Sequence, residues 1–600
     1  MESVSHWGDS PSTPVEGLGR PVVARKAGSR AASDPVSMAM HLHASFSEQT
    51  ASYEAHLSEA SRLGVDVLWW TDHDFRVSAY GYRQGVRFDG PVESEGHPAI
   101  SWTWVEEWEG AVREGGGDFV SWPRSPHEPG GALRIRALAD DHGEGTVWFR
   151  GNAWNMRYST SLADTTVELD VLGESLGEDA VLLVEVQSSY HPASGGRPAG
   201  KYRLEYRIGH VSRTKRCTEG NGLIGVVERP LRGDAWHRLV LRPVDDIAKL
   251  WPDLVAMDNS LHKLRLGVRS ANGAEARAVV DRLRFRRRER QRGAGLELRR
   301  RVLDAYAERF TDVRHYEALE VSLTRHLNWF GGDLKVPNYG DGPPFRSWDI
   351  DRARSMVEFM HEHGALASFN HPMGVSYDEK TPVDLSRLIV ETGALGADLV
   401  EIGHREDIER LLHVFDVAAR NTVFFTGTGV SDDHFAEDWL GQEFNYLTHV
   451  WSPSVELGDL MDGLRRGHAW FADPGEWRGA LDTEIGDVAG MGRVVRSADR
   501  LPIRVTATDL PSDATLEVVS GVVDRPGVKS LEPATSTVTV PASDVHAGSY
   551  ELDLAAGPEG SYVRAQVRNG TGTVVAVGNP TWLLPEAFDG DIPAARLVEP

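Results

Sequence analysis

The sequence predicts an α/β protein built on a closed strand–helix barrel, interrupted by an inserted β-sandwich and followed by a C-terminal, immunoglobulin-like sandwich. Three observations predict it. Apolar runs of strand length alternate with helical periodicity from Ser37 to about residue 125, and again from residue 291. Polar and ionisable residues stand just after those runs, where parallel α/β folds place their chemistry. Elsewhere the texture changes to two-residue alternation broken by Gly and Asn turns.

In chain order, residues 1–35 are rich in Ser, Pro, Gly and Ala and read as a flexible tail. The first part of the barrel spans 36–128. Its strand Ser37–Met40 runs into His41-Leu42-His43, the helix Tyr53–Leu63 is closed by Gly64, and the strand Val65–Trp69 runs into Trp70-Thr71-Asp72-His73-Asp74. The inserted sandwich takes 129–290, with alternating strands near 166–171, 202–207, 237–242, 263–268 and 280–285. The second part of the barrel spans 291–475. Its strands are expected at 318–323, 365–369, 397–402, 422–426 and 469–472, its helices at 350–363, 407–420 and 457–466. The C-terminal sandwich takes 476–600, with alternating runs from Pro502 to Val567.

Composition narrows the function. With 40% hydrophobic and 26% charged residues the chain is an ordinary globular protein of several domains. A formal charge of −25 argues against a nucleic-acid coat or a membrane-surface role. A small anionic substrate stays compatible, because divalent cations dominate the field inside a pocket. Cys217 is the only cysteine, which excludes cysteine zinc sites and intramolecular disulfides. No run has the length of a signal peptide or a membrane span, so the expected location is cytoplasmic. Nothing in the sequence specifies the oligomeric state.

The residues at strand ends are His41, His43, His73, Glu320, His326, His371, Asp432 and His434. Alternate positions of an extended segment share a face, so His41 and His43 can reach one ion. Eight nitrogen and oxygen ligands exceed the needs of one zinc and suit two or three divalent ions, with Glu320 the natural bridge. Asp72 and Asp74 flank a ligand and read as groups that orient imidazoles. Glu401 and His404 follow another strand and read as supporting or substrate-contacting residues. The arginines of Asp281–Arg301 read as a solvated strand edge and helix. Trp102, Trp104, Trp108, Trp122, Trp148 and Trp154 read as packing and loop anchors.

In order along the chain, His41-Leu42-His43, Thr71-Asp72-His73, Leu319-Glu320-Val321, His371-Pro372 and Ser431-Asp432-Asp433-His434 resemble the five signatures of the PHP (polymerase and histidinol phosphatase) superfamily. The resemblance covers about half the chain. It implies a distorted seven-stranded β/α barrel holding two or three ions of manganese, zinc or iron, and phosphoester hydrolysis as the usual activity. Thr71-Asp72-His73-Asp74 and the short Glu320-to-His326 interval look most like the branch containing carbaryl-hydrolase-like enzymes, which act on carbamate or carboxyl esters. The chain departs from the pattern at Ser47-Glu48-Gln49, where S-D-G is usual and Glu48 stands for the carboxylate.

The leading expectation is a phosphoesterase using a metal-bridging hydroxide, with Asp432 accepting or relaying the nucleophile's proton. Hydrolysis of an ester, carbamate or amide by the same site is the first alternative. A non-catalytic protein that binds a glycan or a partner is the second.

Overall fold

The computed structural model describes residues 35–47, 50–78, 83–86, 100–103, 120–122, 132–138, 142–150 and 161–598. Short gaps fall at 232–234, 273, 289–292, 323, 338–346, 375–378, 405–407, 442–445, 487–489, 498 and 555–556. Residues 1–34, Glu48, Trp104, Trp108 and Trp154 lie outside the described residues, and of Trp102, Trp122 and Trp148 only the backbone is described.

The fold is mixed α/β, with many strands and few helices. Its largest sheet runs in the order 426–429, 399–403, 366–369, 327–330, 314–321, 67–70, 35–42, 447–451, 469–472, then on through 574–578, 561–568, 515–522 and 535–541. Strand Pro35–Leu42 pairs in parallel with Val67–Trp70, which pairs in parallel with Arg314–Val321. Parallel pairing returns from Leu366–Phe369 through Leu399–Gly403 to Thr426–Gly429.

Between these runs the order departs from simple strand–helix repetition. Leu327–Phe330 pairs antiparallel on both sides. Only the five residues 322–326 separate it from the preceding strand. Such a link is far too short for a parallel crossover, so the chain must turn back. The last strand of the run also starts later than the alternation suggests, at Thr426 rather than Thr422. Residues 421–423 are used to end helix Ile408–Arg420: the Asn421 and Val423 amides bond back to Val417 O and Ala418 O, and Thr422 takes φ +52°.

The far end of the order returns to its middle. Thr448 accepts from the Gly429 amide at 3.0 Å and donates to Gly429 O at 2.8 Å, and the His43 amide donates to Asp433 O at 3.0 Å. These bonds bring the C-terminal ends of Pro35–Leu42, Val67–Trp70, Leu399–Gly403 and Thr426–Gly429 towards one another.

The described strands between residues 132 and 287 fall in two sheets, and their buried apolar residues join in one core. Strands 83–86, 100–103 and 120–122, which precede residue 129, join the same sheet as 165–175 and 275–287. Beyond residue 476, strands 481–485, 501–507 and 549–554 form a small sheet that shares a core with the end of the largest one. Among the described residues no helix is long and apolar enough to cross a membrane.

Candidate metal centre

Local sequence explains why the ligands converge. Met38, Met40 and Leu42 bury one face of the first strand, which turns His41 and His43 to the other; both imidazoles are fully buried. The Glu320 amide bonds Thr71 O at 3.1 Å and Asp72 O at 3.2 Å, setting Glu320 beside His73. Three further residues sit in the left-handed backbone region, which costs a non-glycine residue roughly 1–3 kcal/mol: His326 at φ +41°, His371 at +25° and Asp432 at +50°. Strain of this kind persists where surrounding structure imposes it, and it clusters at functional sites.

The donor atoms meet in one cluster. Three overlapping groups each have their ligand atoms within 4.8 Å of one another: His43, His73 and His434; His41, His43 and Glu320; His73, Glu320 and His326. Glu320 lies at the centre, with Oε1 2.8 Å from His326 Nδ1, 3.4 Å from His371 Nε2 and 3.5 Å from His41 Nε2. Its Oε2 is 2.5 Å from His73 Nδ1 and 3.5 Å from His43 Nε2. Asp432 Oδ1 closes the other side, 3.1 Å from His43 Nε2 and 3.3 Å from His41 Nε2. The His434 ring stacks on His43 at 4.1 Å between centroids. Thus all eight residues read from strand ends come together.

Supporting groups fix ring orientation. Glu401 Oε1 lies 2.7 Å from His41 Nδ1, which leaves Nε2 to face Glu320 and Asp432. The other Glu401 oxygen accepts from the His371 amide at 2.6 Å. Ser47 Oγ is 3.1 Å from His43 Nδ1, and Ser322 Oγ is 2.5 Å from His73 Nδ1. His404 stands apart from the three groups, with Nε2 3.8 Å from Asp432 Oδ2. It is buried, and among the described residues neither ring nitrogen meets a partner at hydrogen-bonding geometry. Asp72 and Asp74 belong to none of the three groups. Asp72 accepts from the Ala44 amide, Tyr53 OH and Arg299, while Asp74 accepts from the Ser322 amide at 3.0 Å.

Electrostatics favour cations. Burial opposes charge on Glu320 and on Asp432, yet the surrounding histidines hold both carboxyls well below the usual range. Burial together with the charges of His434 and His73 pushes His43 well below an ordinary imidazole. Buried imidazoles gathered around ionised carboxylates are a donor set that suits a divalent metal. The residues present fit such ions.

Some contributors escaped the sequence reading. Asn370 Nδ2 donates to Glu320 Oε1 at 3.2 Å, and Asn328 Nδ2 reaches Glu401 Oε1 at 3.5 Å. Asn370 could have been found, since it immediately precedes His371-Pro372 at a strand end. Ser322 could too, two residues beyond Glu320. Arg299 carried no such signal, being one of several arginines on a helix.

No protein-family model matches the chain, and no curated protein does. Among solved structures it is similar to a two-domain protein from Bacteroides vulgatus containing a predicted PHP-like metal-dependent phosphoesterase. The identity is 16% over 47% of this chain and 79% of that one, with a TM-score of 0.23. It is also similar to a family 12 xyloglucanase from Bacillus licheniformis, at 8% identity over 26% of this chain and 82% of that one, TM-score 0.19. A family 30 carbohydrate-binding module of a Clostridium thermocellum cellulosomal cellulase aligns at 10% identity over 34% and 97%, TM-score 0.20.

Proposed function

We propose that the protein is a metal-dependent phosphoesterase of the PHP type, a seven-stranded barrel with an inserted and a C-terminal sandwich. The observation that carries this reading is the sharing of Glu320, His43 and His73 among three ligand groups, as expected of two or three closely spaced ions. Manganese, zinc or iron suits a set made wholly of imidazole and carboxylate donors. Bound divalent ions would supply an activated water at neutral pH and polarise the substrate's oxygens.

The chain's own residues do the rest. Glu320 offers one oxygen towards His41, His326 and His371 and the other towards His43 and His73, so it can bridge. Glu401 holds His41 in the tautomer that leaves Nε2 free to ligate. Asp432, ionised beside His41 and His43, accepts the proton released by the attacking water. The substrate is a small anionic phosphoester, its charge matched by the cationic centre.

The test compares p-nitrophenyl phosphate, bis-p-nitrophenyl phosphate and p-nitrophenyl acetate with metal-loaded protein. Preference for a phosphate ester is expected, with metal and activity lost together in Glu320→Gln and His371→Ala. Preference for acetate reassigns the site to carboxyl or carbamate esters, as in the carbaryl-hydrolase-like branch. Full turnover in metal-stripped protein overturns the proposal.

A further inference from the structure

The inserted region carries an arrangement that the metal centre does not use. Strand Lys215–Glu219 pairs antiparallel with Ile224–Pro230, with Arg216 opposite Val227. Val227 belongs to the apolar core of the two sheets, so its side of the strand is the inward one. Arg216 opposite it and Arg229 two residues on project from that same side. The edge strand Lys215–Glu219 is exposed throughout, so on this side the two arginines stand beyond the apolar core rather than inside it.

Helix Pro243–Leu250 lies over them, leaving a cavity of about 320 Å³ lined by Arg216, Arg229, Arg242, Lys249, Asp245 and Asp246. Cations outnumber carboxylates four to two, in a chain whose formal charge is −25. Asp246 pairs with Arg216 at 2.7 Å through one oxygen and accepts from Tyr206 OH at 3.0 Å through the other. Arg229 is fixed by an Nη1 bond to Val240 O at 2.7 Å. Among the described residues, neither Arg229 nor Arg242 nor Lys249 enters an ion pair. With Arg216 taken up by Asp246, the cations Arg229, Arg242 and Lys249 line this space against one remaining carboxylate, Asp245, among the described residues.

We infer that this cavity is an anion-binding site for a dianionic tetrahedral group, a phosphoryl or sulfate, on a small molecule. The guanidinium fork offers parallel donors matched to two oxygens of such a group, and Lys249 adds a point charge. The volume leaves room for an organic portion. None of the elements that line it carries a residue of the histidine cluster, so the site is separate from the metal centre.

The test is calorimetric titration of metal-loaded protein with inorganic phosphate, and separately with sulfate, at fixed ionic strength. Wild type is expected to bind phosphate or sulfate at a site that survives His371→Ala. Arg229→Gln with Arg242→Gln is expected to weaken that site about tenfold or more, the loss of charged hydrogen bonds, with metal content unchanged. Should that pair fail to fold, Arg242→Glu with Lys249→Glu alters exposed positions only and is expected to abolish binding. Equal binding in wild type and the pocket variants overturns the inference, as does no binding of either anion by wild type. Binding that disappears with His371→Ala alone assigns the anion to the metal centre and overturns it too.

Discussion

Glu54 Oε2, on the helix that follows the first histidine pair, lies 2.7 Å from His191 Nδ1 at the end of strand Ala180–His191, with both side chains buried. The other Glu54 oxygen takes Arg197 at 2.6 Å and Arg309. One carboxylate thus ties strand Ala180–His191 and Arg197 to the segment that follows His41 and His43.

This cluster predicts a pH signature. Burial raises the Glu54 carboxyl, but the hydrogen bond and charge of His191, with Arg197 and Arg309, outweigh it and hold the group below the usual range. A depressed carboxyl stabilises the fold fully above its unfolded pKa, about 4.3, and loses that contribution as pH falls through the folded value. Glu54→Gln, which leaves buried cations uncompensated, should cost on the order of 3 kcal/mol at pH 7. The gap in denaturant midpoint should begin to narrow as pH falls below about 4.3 and keep narrowing through the lowered folded value. A gap that stays constant from pH 7 down to about pH 2 would exclude the carboxylate as its source.

Asp258 makes a second tie. It accepts from the amides of Tyr53 and Glu54 at 3.1 and 3.0 Å and from Tyr306 OH at 2.8 Å, capping the helix together with Ser52. Tyr53 in turn bonds Asp72, which holds the Ala44 amide next to His43. Asp258→Ala should slacken this chain and weaken metal affinity about tenfold, as loss of an outer support does. Competition with a chelating dye measures it, and unchanged affinity would confine Asp258 to helix stability.

Much of the site was legible because its ligands follow apolar runs at fixed offsets: His41, His73, His371 and Asp432 all stand where a strand ends. Glu54, Asp258 and Arg299 were not, because their partners lie 137, 205 and 227 residues away and carry no local pattern. The same limit hid the antiparallel turn at 327–330, where link length rather than periodicity decides direction. It also hid the sheet in which strands 83–86 and 100–103 follow strand 275–287.

Arg299 locks two strand ends. Fully buried, it donates to Ala318 O at 2.8 Å and reaches Trp70 O and Asp72 Oδ2 at 3.3 Å. Arg299→Met leaves the carbonyls and carboxylate short of a donor, at an expected cost of about 3–5 kcal/mol. Arg299→Lys should rescue little of it, since one ammonium cannot reproduce the fork. Thermal unfolding of both variants decides this; full rescue by lysine would show that charge alone matters.

Metal uptake should compete with protons. Burial disfavours charge on His41 and His371, but the carboxylates of Glu401, Asp432 and Glu320 prevail and keep both imidazoles protonated to higher pH than a free histidine. An imidazole must shed its proton before it can ligate, so affinity should rise between pH 6 and pH 8 with proton release on binding. Calorimetry in buffers of different ionisation heat counts those protons. Holding metal at one hundred times its dissociation constant should stabilise the fold by about 2.7 kcal/mol, and chelation should remove that gain. Affinity that ignores pH across this range would mean that these two histidines are not ligands.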